Sequence, residues 1–302
     1  MQTNNRNLQL KHLFDTHRCI AAPAAFDALS AKLVEEAGFP VVYVGSYGTA
    51  ASAHGLADVG LLSLDELARH ARAIARVVKV PVIADAEGGA EDPANVWRTV
   101  QEFEEAGVSA IHIEDHAGGK HTDLPQQLIP LEKMLAKLRA ALEARRDPNF
   151  QIIARTDAIW ATKNVEEAWR RVRAFAEAGV DMIFPCGADI ETARAMREDL
   201  GTKVVVIETS TGPAHAASGA ANLVINYGFC LYAATKGIVS ALREYKKANC
   251  AADALPFLED EHAFEERFGY RDFSEHSRRL RGGARDGAER ATGCRTAAAP
   301  AE

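Results

Sequence analysis

Acidic residues end two apolar stretches of the sequence that are typical of buried strands. Asp85 and Glu87 close the stretch PVIADAE, and Glu114 closes the stretch AIHIE. Charged groups are costly to bury unless something pairs with them. Asp85 and Glu87 are two residues apart, so on a strand both side chains leave the same face, and Glu114 ends the next strand along the chain. Either these acids are solvated or paired with arginines, or they bind a cation together.

A metal ion is the interpretation that we favour for the three acids taken together. Carboxylates that converge at one edge of a sheet repel each other unless something neutralises them. Hard oxygen donors without a neighbouring Cys–His cluster select Mg²⁺ or Mn²⁺. The sequence therefore predicts a Mg²⁺ site, with Mn²⁺ as the alternative ion, at Asp85, Glu87 and Glu114.

Two further features are suited to binding an anion. Arg155 ends the stretch QIIART, where its planar guanidinium matches a substrate carboxylate, although an ordinary ion pair is the alternative. The stretch GSYGT, residues 45–49, either presents backbone N–H groups to an anion or is a plain strand-to-helix turn.

The elements that position these residues follow a regular rhythm. Eight short apolar runs, not alternating with polar residues, are typical of strands covered on both faces. They are CIAAP (19–23), VVYVGS (41–46), PVIADAE (81–87), AIHIED (110–115), QIIART (151–156), MIFPCG (182–187), KVVVIET (203–209) and NLVIN (222–226). Helical patterns lie between them, one beginning with a capping box at Ser63 and Glu66.

Strands alternating with helices predict an α/β fold, a (β/α)8 TIM barrel, with its active site at the C-terminal ends of the strands. A doubly wound open sheet is the rival fold, but its Gly-rich phosphate fingerprint is missing after the first strand. We expect a barrel domain over residues 1–250, extra C-terminal helices over 251–280, and a disordered tail over 281–302, where the sequence is small, polar and rich in Gly and Ala.

Composition restricts the classes of partner. The 302 residues carry 35 basic and 42 acidic side chains, a formal net charge of −7, which favours neither nucleic acid nor an anionic membrane surface. The five cysteines are scattered without a CxxC motif, as expected in a reducing compartment. The N-terminal residues show no apolar secretion signal. We therefore expect a cytoplasmic protein that acts on a small molecule.

Many ordered stretches of this sequence resemble the phosphoenolpyruvate mutase/isocitrate lyase superfamily, from about residue 10 to residue 250. They are AAPAAFDALSAKLVEEAGF, VVYVGS, GLADVG with Asp58, PVIADAE, AGVSAIHIED, ARRDPNFQIIARTDA and AEAGVDMIFP. The resemblance implies a barrel whose last helix is exchanged with a neighbouring subunit, usually in a homotetramer formed as a dimer of helix-swapped dimers.

The resemblance also implies a set of site residues and a chemistry. The acids matching Asp85, Glu87 and Glu114 bind Mg²⁺, with help from Asp58. The positions matching Ser46, Tyr47, Gly48 and Arg155 hold the carboxylate of a 2-oxo or 2-hydroxy acid, and we add Asp58, Glu208 and Asn226 as substrate-binding candidates. The shared chemistry runs through a pyruvate enolate, whose charge the metal stabilises as a Lewis acid.

The loop after the fourth strand departs from the pattern of the superfamily's lyases. Those lyases carry a Cys as general acid or base in Lys-Arg-Cys-Gly-His, whereas this loop reads GGKHTDLPQQ, with a matching Lys120 but Thr122 in place of the Cys. A Thr hydroxyl is too weak an acid to replace a thiol well. Lys120, Thr122, His116 and Arg155 are the candidate catalytic residues, with His116 or Cys186 as a substitute acid.

The leading prediction is a Mg²⁺-dependent C–C bond lyase or decarboxylase acting on a small 2-oxo or 2-hydroxy dicarboxylic acid. Relatives without the loop Cys resemble oxaloacetate decarboxylases, and a dimethylmalate-type lyase is a further possibility. Phosphonopyruvate hydrolases have Thr at the position of Thr122, so a C–P bond enzyme, a hydrolase or a mutase, is an alternative. A non-catalytic barrel is the last alternative, which the set of acids argues against.

Overall fold

In the computed structural model, which describes residues 5–209 and 215–292, eight parallel strands form one sheet. They are β1 (Ile20–Pro23), β2 (Val42–Val44), β3 (Val82–Asp85), β4 (Ala110–Glu114), β5 (Gln151–Thr156), β6 (Met182–Pro185), β7 (Lys203–Ile207) and β8 (Leu223–Asn226). The strand order is β1-β8-β7-β6-β5-β4-β3-β2. A parallel bridge from Ala24 to Tyr43 joins the two ends of this order, so the sheet is a nearly closed barrel. The predicted (β/α)8 architecture is confirmed.

Helices alternate with the strands, and further helices precede the first strand and follow the last one. They are α1 (Asn5–Thr16), α2 (Ala28–Glu36), α3 (Ser46–Thr49), α4 (Leu64–Ala75), α5 (Val96–Ala106), α6 (Leu131–Ala144), α7 (Ala158–Thr162), α8 (Val165–Glu177), α9 (Ile190–Leu200), α10 (His215–Ser218), α11 (Phe229–Ala248), α12 (Glu261–Arg267) and α13 (Tyr270–Thr292). The predicted capping box is present, because Ser63 accepts from the backbone N–H of Glu66 while the Glu66 carboxylate accepts from the backbone N–H of Ser63. The structure contains no described helix that is long and apolar enough to cross a membrane.

Strand alternation separates two hydrophobic clusters. Ile83, Ile153, Phe184, Val205 and Ile225 belong to the cluster inside the barrel, which also contains Leu10 and Phe14 of α1. Their strand neighbours, such as Ala84, Ile152, Ile183, Val206 and Val224, belong to the cluster between the sheet and the helices. Because side chains alternate along a strand, each strand has one set of positions that faces the barrel interior and one set that faces the helices.

The chain divides into two compact units, one ending at Ala234 and the other beginning at Thr235. The division lies within α11, whereas the sequence predicts a boundary at residue 250. In the second unit, α13 continues to Thr292, so residues 281–292 are helical where the sequence predicts disorder. Three Ala and three Arg in this segment favour helix, whereas its three Gly disfavour it. The rest of the predicted tail, residues 293–302, lies outside the described residues.

Candidate active site

Strand register brings three predicted site residues to the same end of the barrel. Ile83 lies inside the barrel, so Asp85, two residues later on β3, faces inward as well. Ala110 and Ile153 also lie inside the barrel. Glu114, four residues after Ala110, and Arg155, two residues after Ile153, therefore face inward by the same alternation. Glu114 and Arg155 are direct partners in the pairing of β4 with β5. All three side chains are buried, with relative exposures of 5%, 2% and 7% in chain order.

Asp85 accepts hydrogen bonds from two segments of the chain. Its Oδ2 accepts from Ser46 Oγ at 3.0 Å and from Ser46 N at 3.4 Å, and its Oδ1 accepts from the backbone N–H of Glu87 at 2.8 Å. Burial raises the pKa of Asp85, but the nearby side chains of His112, Lys120 and Arg155 outweigh this effect and lower it below the ordinary value. Asp85 is therefore ionised at neutral pH.

Glu87 lies beyond the end of β3 in a turn with φ of 52°, so the two acids do not leave one strand face as the sequence predicts. Its carboxylate nevertheless reaches the same cluster through Lys120. Burial, together with repulsion from Asp85 and Glu114, raises the pKa of Glu87 to about 8, and Lys120 opposes the shift. Near neutral pH this carboxyl group thus holds a proton in a substantial part of the molecules.

The Lys120 ammonium lies among the carboxylates. Its Nζ is 2.6 Å from Glu87 Oε2, 3.0 Å from Glu114 Oε1 and 3.8 Å from Asp58 Oδ2. The Lys120 side chain is 4% exposed. Burial lowers the pKa of this lysine, but Glu114, Asp85 and Glu87 raise it further, so the result lies well above the ordinary value. Lys120 is therefore a permanent cation in the middle of the acid cluster.

Arg155 is fixed by two carboxylates. Its Nε donates to Asp157 Oδ1 at 2.7 Å and its Nη2 donates to Asp157 Oδ2 at 3.1 Å, a planar two-point pairing. Its Nη1 is 3.1 Å from Glu114 Oε2. A guanidinium has five N–H donors, so these three contacts leave donors for a further anion.

A cavity of about 280 Å³ opens beside these charges. Among the predicted site residues, it is lined by Ser46, Tyr47, Asp58, Asp85, Lys120 and Arg155. Aromatic rings surround it as well: Tyr47 lies 5.2 Å from Tyr227 and 5.7 Å from His121, and His121 lies 5.2 Å from Trp160, between ring centroids. The cavity thus has charged groups along one wall and apolar rings along another.

Several predicted residues lie elsewhere. Glu208 and Asn226 have the same strand parity as Val206 and Val224, which face the helices, and the cavity is lined instead by Ile207 and Tyr227. Gly48 packs against Phe26, where an added Cβ would lie 3.3 Å from the Phe26 Cβ. Its lack of a side chain therefore serves packing.

Two predicted catalytic residues hold the loop between β4 and α6, residues 115–130, rather than lining the cavity. The exposed Thr122 donates its hydroxyl to Gly119 O at 2.7 Å. His116 uses both ring nitrogens, with Nε2 2.9 Å from Gln126 Oε1 and Nδ1 accepting from the backbone N–H of Gly118 at 3.0 Å. His116 is buried against this loop.

Comparison with known proteins places these features in a family. The family described as phosphoenolpyruvate phosphomutase matches residues 10–246 of the chain. The chain belongs to this family. The resemblance to the phosphoenolpyruvate mutase/isocitrate lyase superfamily is thus confirmed.

Relatives of the phosphomutase family cleave carbon–carbon bonds. The chain is 42% identical to the 2,3-dimethylmalate lyase of Eubacterium barkeri over 182 residues, which cover 60% of this chain and 63% of the lyase. The chain therefore spans less than two thirds of that relative. It is 36% identical to the oxaloacetate decarboxylase of Pseudomonas fluorescens (strain SBW25) over 268 residues, which cover 84% of this chain and 89% of the decarboxylase.

A solved structure of a phosphomutase-family relative contains a metal ion. The phosphonopyruvate hydrolase in complex with oxalate and Mg²⁺ matches with a TM-score of 0.79 at 28% identity, covering 91% of this chain and 98% of the hydrolase.

The donor atoms of this phosphomutase-family chain fit a divalent ion. Ligand atoms of Asp85, His112 and Glu114 lie within 4.8 Å of one another. His112 Nδ1 is buried and makes no hydrogen bond within the described part of the chain, and buried Glu114 Oε2 has only the ion pair with Arg155 Nη1 at 3.1 Å. Orphaned buried acceptors are costly, and a cation would satisfy them. The geometry supports a divalent metal, whose identity it does not specify.

His112 is the residue that sequence reasoning missed. It precedes Glu114 by two positions, so the same alternation places it inside the barrel. Its Nε2 lies 2.8 Å from Tyr43 Oη and its Nδ1 lies 3.6 Å from Asp85 Oδ1. Burial lowers the pKa of His112, which favours the neutral imidazole. The signal was available in the pattern AIHIE, read at period two.

Proposed function

We propose that this protein is a Mg²⁺-dependent C–C bond lyase or decarboxylase that acts on a small 2-oxo or 2-hydroxy dicarboxylic acid. The observation that carries the proposal is the convergence of Asp58, Glu87 and Glu114 on one cation position, with Asp85 grouped beside Glu114, at a cavity that Arg155 lines. Similarity to a dimethylmalate lyase and to an oxaloacetate decarboxylase supports the reaction class. Similarity to a hydrolase structure that contains Mg²⁺ supports the metal.

The proposed metal ligands are Asp85, Glu87 and Glu114, with Asp58 assisting. Carboxylate oxygens are the donors that Mg²⁺ prefers. When bound, the ion supplies Lewis-acid stabilisation of negative charge on the 2-oxo oxygen of the substrate. Ser46 fixes the rotamer of Asp85 through its hydroxyl and backbone N–H. Glu114 is held between Lys120 and Arg155.

Arg155 is the proposed anchor for the substrate carboxylate. Its guanidinium lines the cavity, and its orientation is fixed by the pairing with Asp157. A preoriented planar fork loses little freedom when it binds a carboxylate. Tyr47 and Trp160 line the cavity as well and exclude water from one side of the substrate.

The general acid of the proposed reaction must be a side chain that can donate a proton and that reaches the cavity. Thr122 and His116 are bonded within the loop, whereas Cys186 and His121 line the cavity. Burial raises the pKa of the Cys186 thiol, which keeps it protonated at neutral pH. Decarboxylation needs no acid on the leaving side, so the absence of a loop Cys is compatible with that reaction.

A substrate panel tests the proposal. The protein is treated with a chelator and then assayed for pyruvate release from oxaloacetate, 2,3-dimethylmalate, 2-methylisocitrate and phosphonopyruvate, with and without Mg²⁺. We expect release from one of the first three, and only with the ion. Turnover of phosphonopyruvate alone would show that the enzyme is a C–P hydrolase. Equal turnover in excess chelator would refute the role of the metal.

We propose a homotetramer for the active protein, located in the cytoplasm. The second unit exposes many apolar side chains for its size. They include Ile238 (59%), Leu242 (60%), Leu255 (63%), Phe273 (74%) and Leu280 (61%). Exposed apolar surface of this kind marks contacts between subunits. Mass measured by light scattering after gel filtration tests the assembly, and a monomer of 32.6 kDa would contradict it.

A further inference from the structure

The ammonium of Lys120 lies where a cation bound by the acid cluster would lie. Its Nζ contacts Glu87 Oε2 at 2.6 Å and Glu114 Oε1 at 3.0 Å, and Asp58 Oδ2 is 3.8 Å away. These are three of the four carboxylates assigned above to the metal. The side chain is 4% exposed, so little water screens its charge.

A divalent ion and this ammonium exclude each other. Mg²⁺ binds oxygen at about 2.1 Å, whereas the amine nitrogen already lies within hydrogen-bond distance of two of the same carboxylates. Two cations forced into that space would repel each other strongly at the low dielectric of a buried site. We infer, on the basis of the metal site proposed above, that Lys120 is an internal counter-ion. It occupies the site when no divalent ion is bound and is displaced when the ion binds.

The loop that carries Lys120 is bonded to itself at its base and turned by two glycines next to the lysine. At its base it is tied to itself by the bond from Ala117 N to Gln127 O at 2.9 Å and by the bridge from His116 to Leu128. Gly118 and Gly119 have φ of 105° and 73°, so the backbone on the N-terminal side of Lys120 is turned in a region that favours glycine. On the other side, Leu124 is 60% exposed. Displacement of Lys120 therefore moves the tip of the loop and leaves its base in place.

The position of His121, the residue after Lys120, connects this movement to the cavity. Its ring lies 5.2 Å from the ring of Trp160, and its Nε2 is 3.4 Å from Asp58 Oδ2. When Lys120 leaves the acids, His121 leaves with it. Metal binding is thus coupled to the position of a loop that borders the cavity.

The first test uses the wild-type protein and amine-reactive acetylation followed by mass spectrometry. Lys120 is buried in the ion-free state, so we expect slow labelling in chelator and labelling at least about fivefold faster with saturating Mn²⁺. Lys133, on α6 and paired with Glu91, is the internal reference and should label at the same rate in both conditions. Equal labelling of Lys120 with and without the ion would overturn the inference.

The second test measures Mn²⁺ affinity by the electron paramagnetic resonance signal of the free ion. Removal of a competing charge in Lys120→Met should lower the Kd for Mn²⁺ at least about tenfold, by the Coulomb energy of a nearby charge. Lys120→Arg keeps the charge and should stay close to wild type. Lys133→Met is the matched control and should change the Kd less than twofold.

The outcomes separate the inference from the function on which it rests. If neither wild type nor Lys120→Met binds Mn²⁺, the proposed metal site is wrong. If wild type binds the ion but Lys120→Met binds it no more tightly, only the inference is wrong. If Lys120→Met fails to fold, as judged by circular dichroism, the acetylation rate of Lys120 in the wild-type protein, with and without Mn²⁺, decides whether the inference holds.

Discussion

A chain of buried charges links helix α8 to Arg155, the proposed anchor for the substrate carboxylate. Arg171 donates from Nη1 to Asp115 Oδ2 at 3.0 Å and from Nε to Glu167 Oε1 at 2.6 Å. Asp115 Oδ1 in turn accepts from the backbone N–H of Asp157 at 2.9 Å, and Asp157 holds Arg155. We predict that Arg171→Met destabilises the barrel and disturbs the site without touching the cavity.

The magnitude follows from burial. Arg171 is 5% exposed and Asp115 is fully buried, and removal of one partner of a buried ion pair costs about 3–5 kcal/mol because the other charge stays uncompensated. Asp115 keeps its hydrogen bond from the backbone N–H of Asp157, so we expect the free energy of unfolding to fall by about 3 kcal/mol, the low end of this range. For a domain of this size each kcal/mol lowers the melting temperature by about 2–4 °C, which gives a fall of about 6–12 °C.

The assay is urea unfolding followed by circular dichroism, with kcat/KM measured on the same samples. Arg173→Met is the matched control on the same helix, because Arg173 is 55% exposed in its pair with Asp199 and such a pair contributes less than about 1 kcal/mol. The double variant Arg171→Met/Asp115→Asn should regain much of the lost stability, since it removes the uncompensated charge. A loss for Arg171→Met as small as that of the control would refute the reasoning.

Two further predictions concern the acid cluster. Asp85→Ala should reduce kcat by more than about a hundredfold with an unchanged circular dichroism spectrum, and near-wild-type turnover would contradict the metal assignment. Glu87, with a pKa raised from 4.5 to about 8, makes the metal-free native state bind more protons than the unfolded state. The free energy of unfolding should therefore fall as pH rises from about 5 to 8, and urea titrations in chelator should show a flatter profile for Glu87→Gln.

Strand alternation explains how much of the site the sequence predicts. Asp85, Glu114 and Arg155 each lie two residues after an apolar residue of the inner cluster, such as Ile83 or Ile153. The inward direction of each side chain follows from this period alone. Glu208 and Asn226 have the opposite parity, that of Val206 and Val224 in the outer cluster, and the cavity is lined by their neighbours Ile207 and Tyr227.

The loop residues could not be predicted from the same rule. Lys120, His121 and Thr122 lie outside any strand or helix, and His121 has a φ of 62°. Whether a side chain on such a segment turns inward depends on local bonds, such as those of His116 with Gln126 and Gly118. The sequence shows that a lysine is present, but only the fold shows that it lies among the acids.

Two features of the site have one electrostatic cause. Five carboxylates, those of Asp58, Asp85, Glu87, Glu114 and Asp157, surround the ammonium of Lys120 and the guanidinium of Arg155. If all were ionised, the balance would be 2 − 5 = −3. A buried region cannot hold that excess without help. Lys120 is already counted in this balance, which would be 1 − 5 = −4 without it, and the raised pKa of Glu87 reduces the excess further.

The excess of negative charge in this site also affects how an anionic substrate would bind. An anionic substrate approaching this cavity meets a wall that is negative even with Lys120 in place, and the donors of Arg155 are already shared with Asp157 and Glu114. A divalent ion would reduce this excess to −3 + 2 = −1, a larger change than any single side chain in the cavity makes. If that ion also releases Lys120, the lysine becomes a second cation for the substrate. On the proposed function, metal binding would therefore weaken the repulsion that a dicarboxylate meets at this cavity.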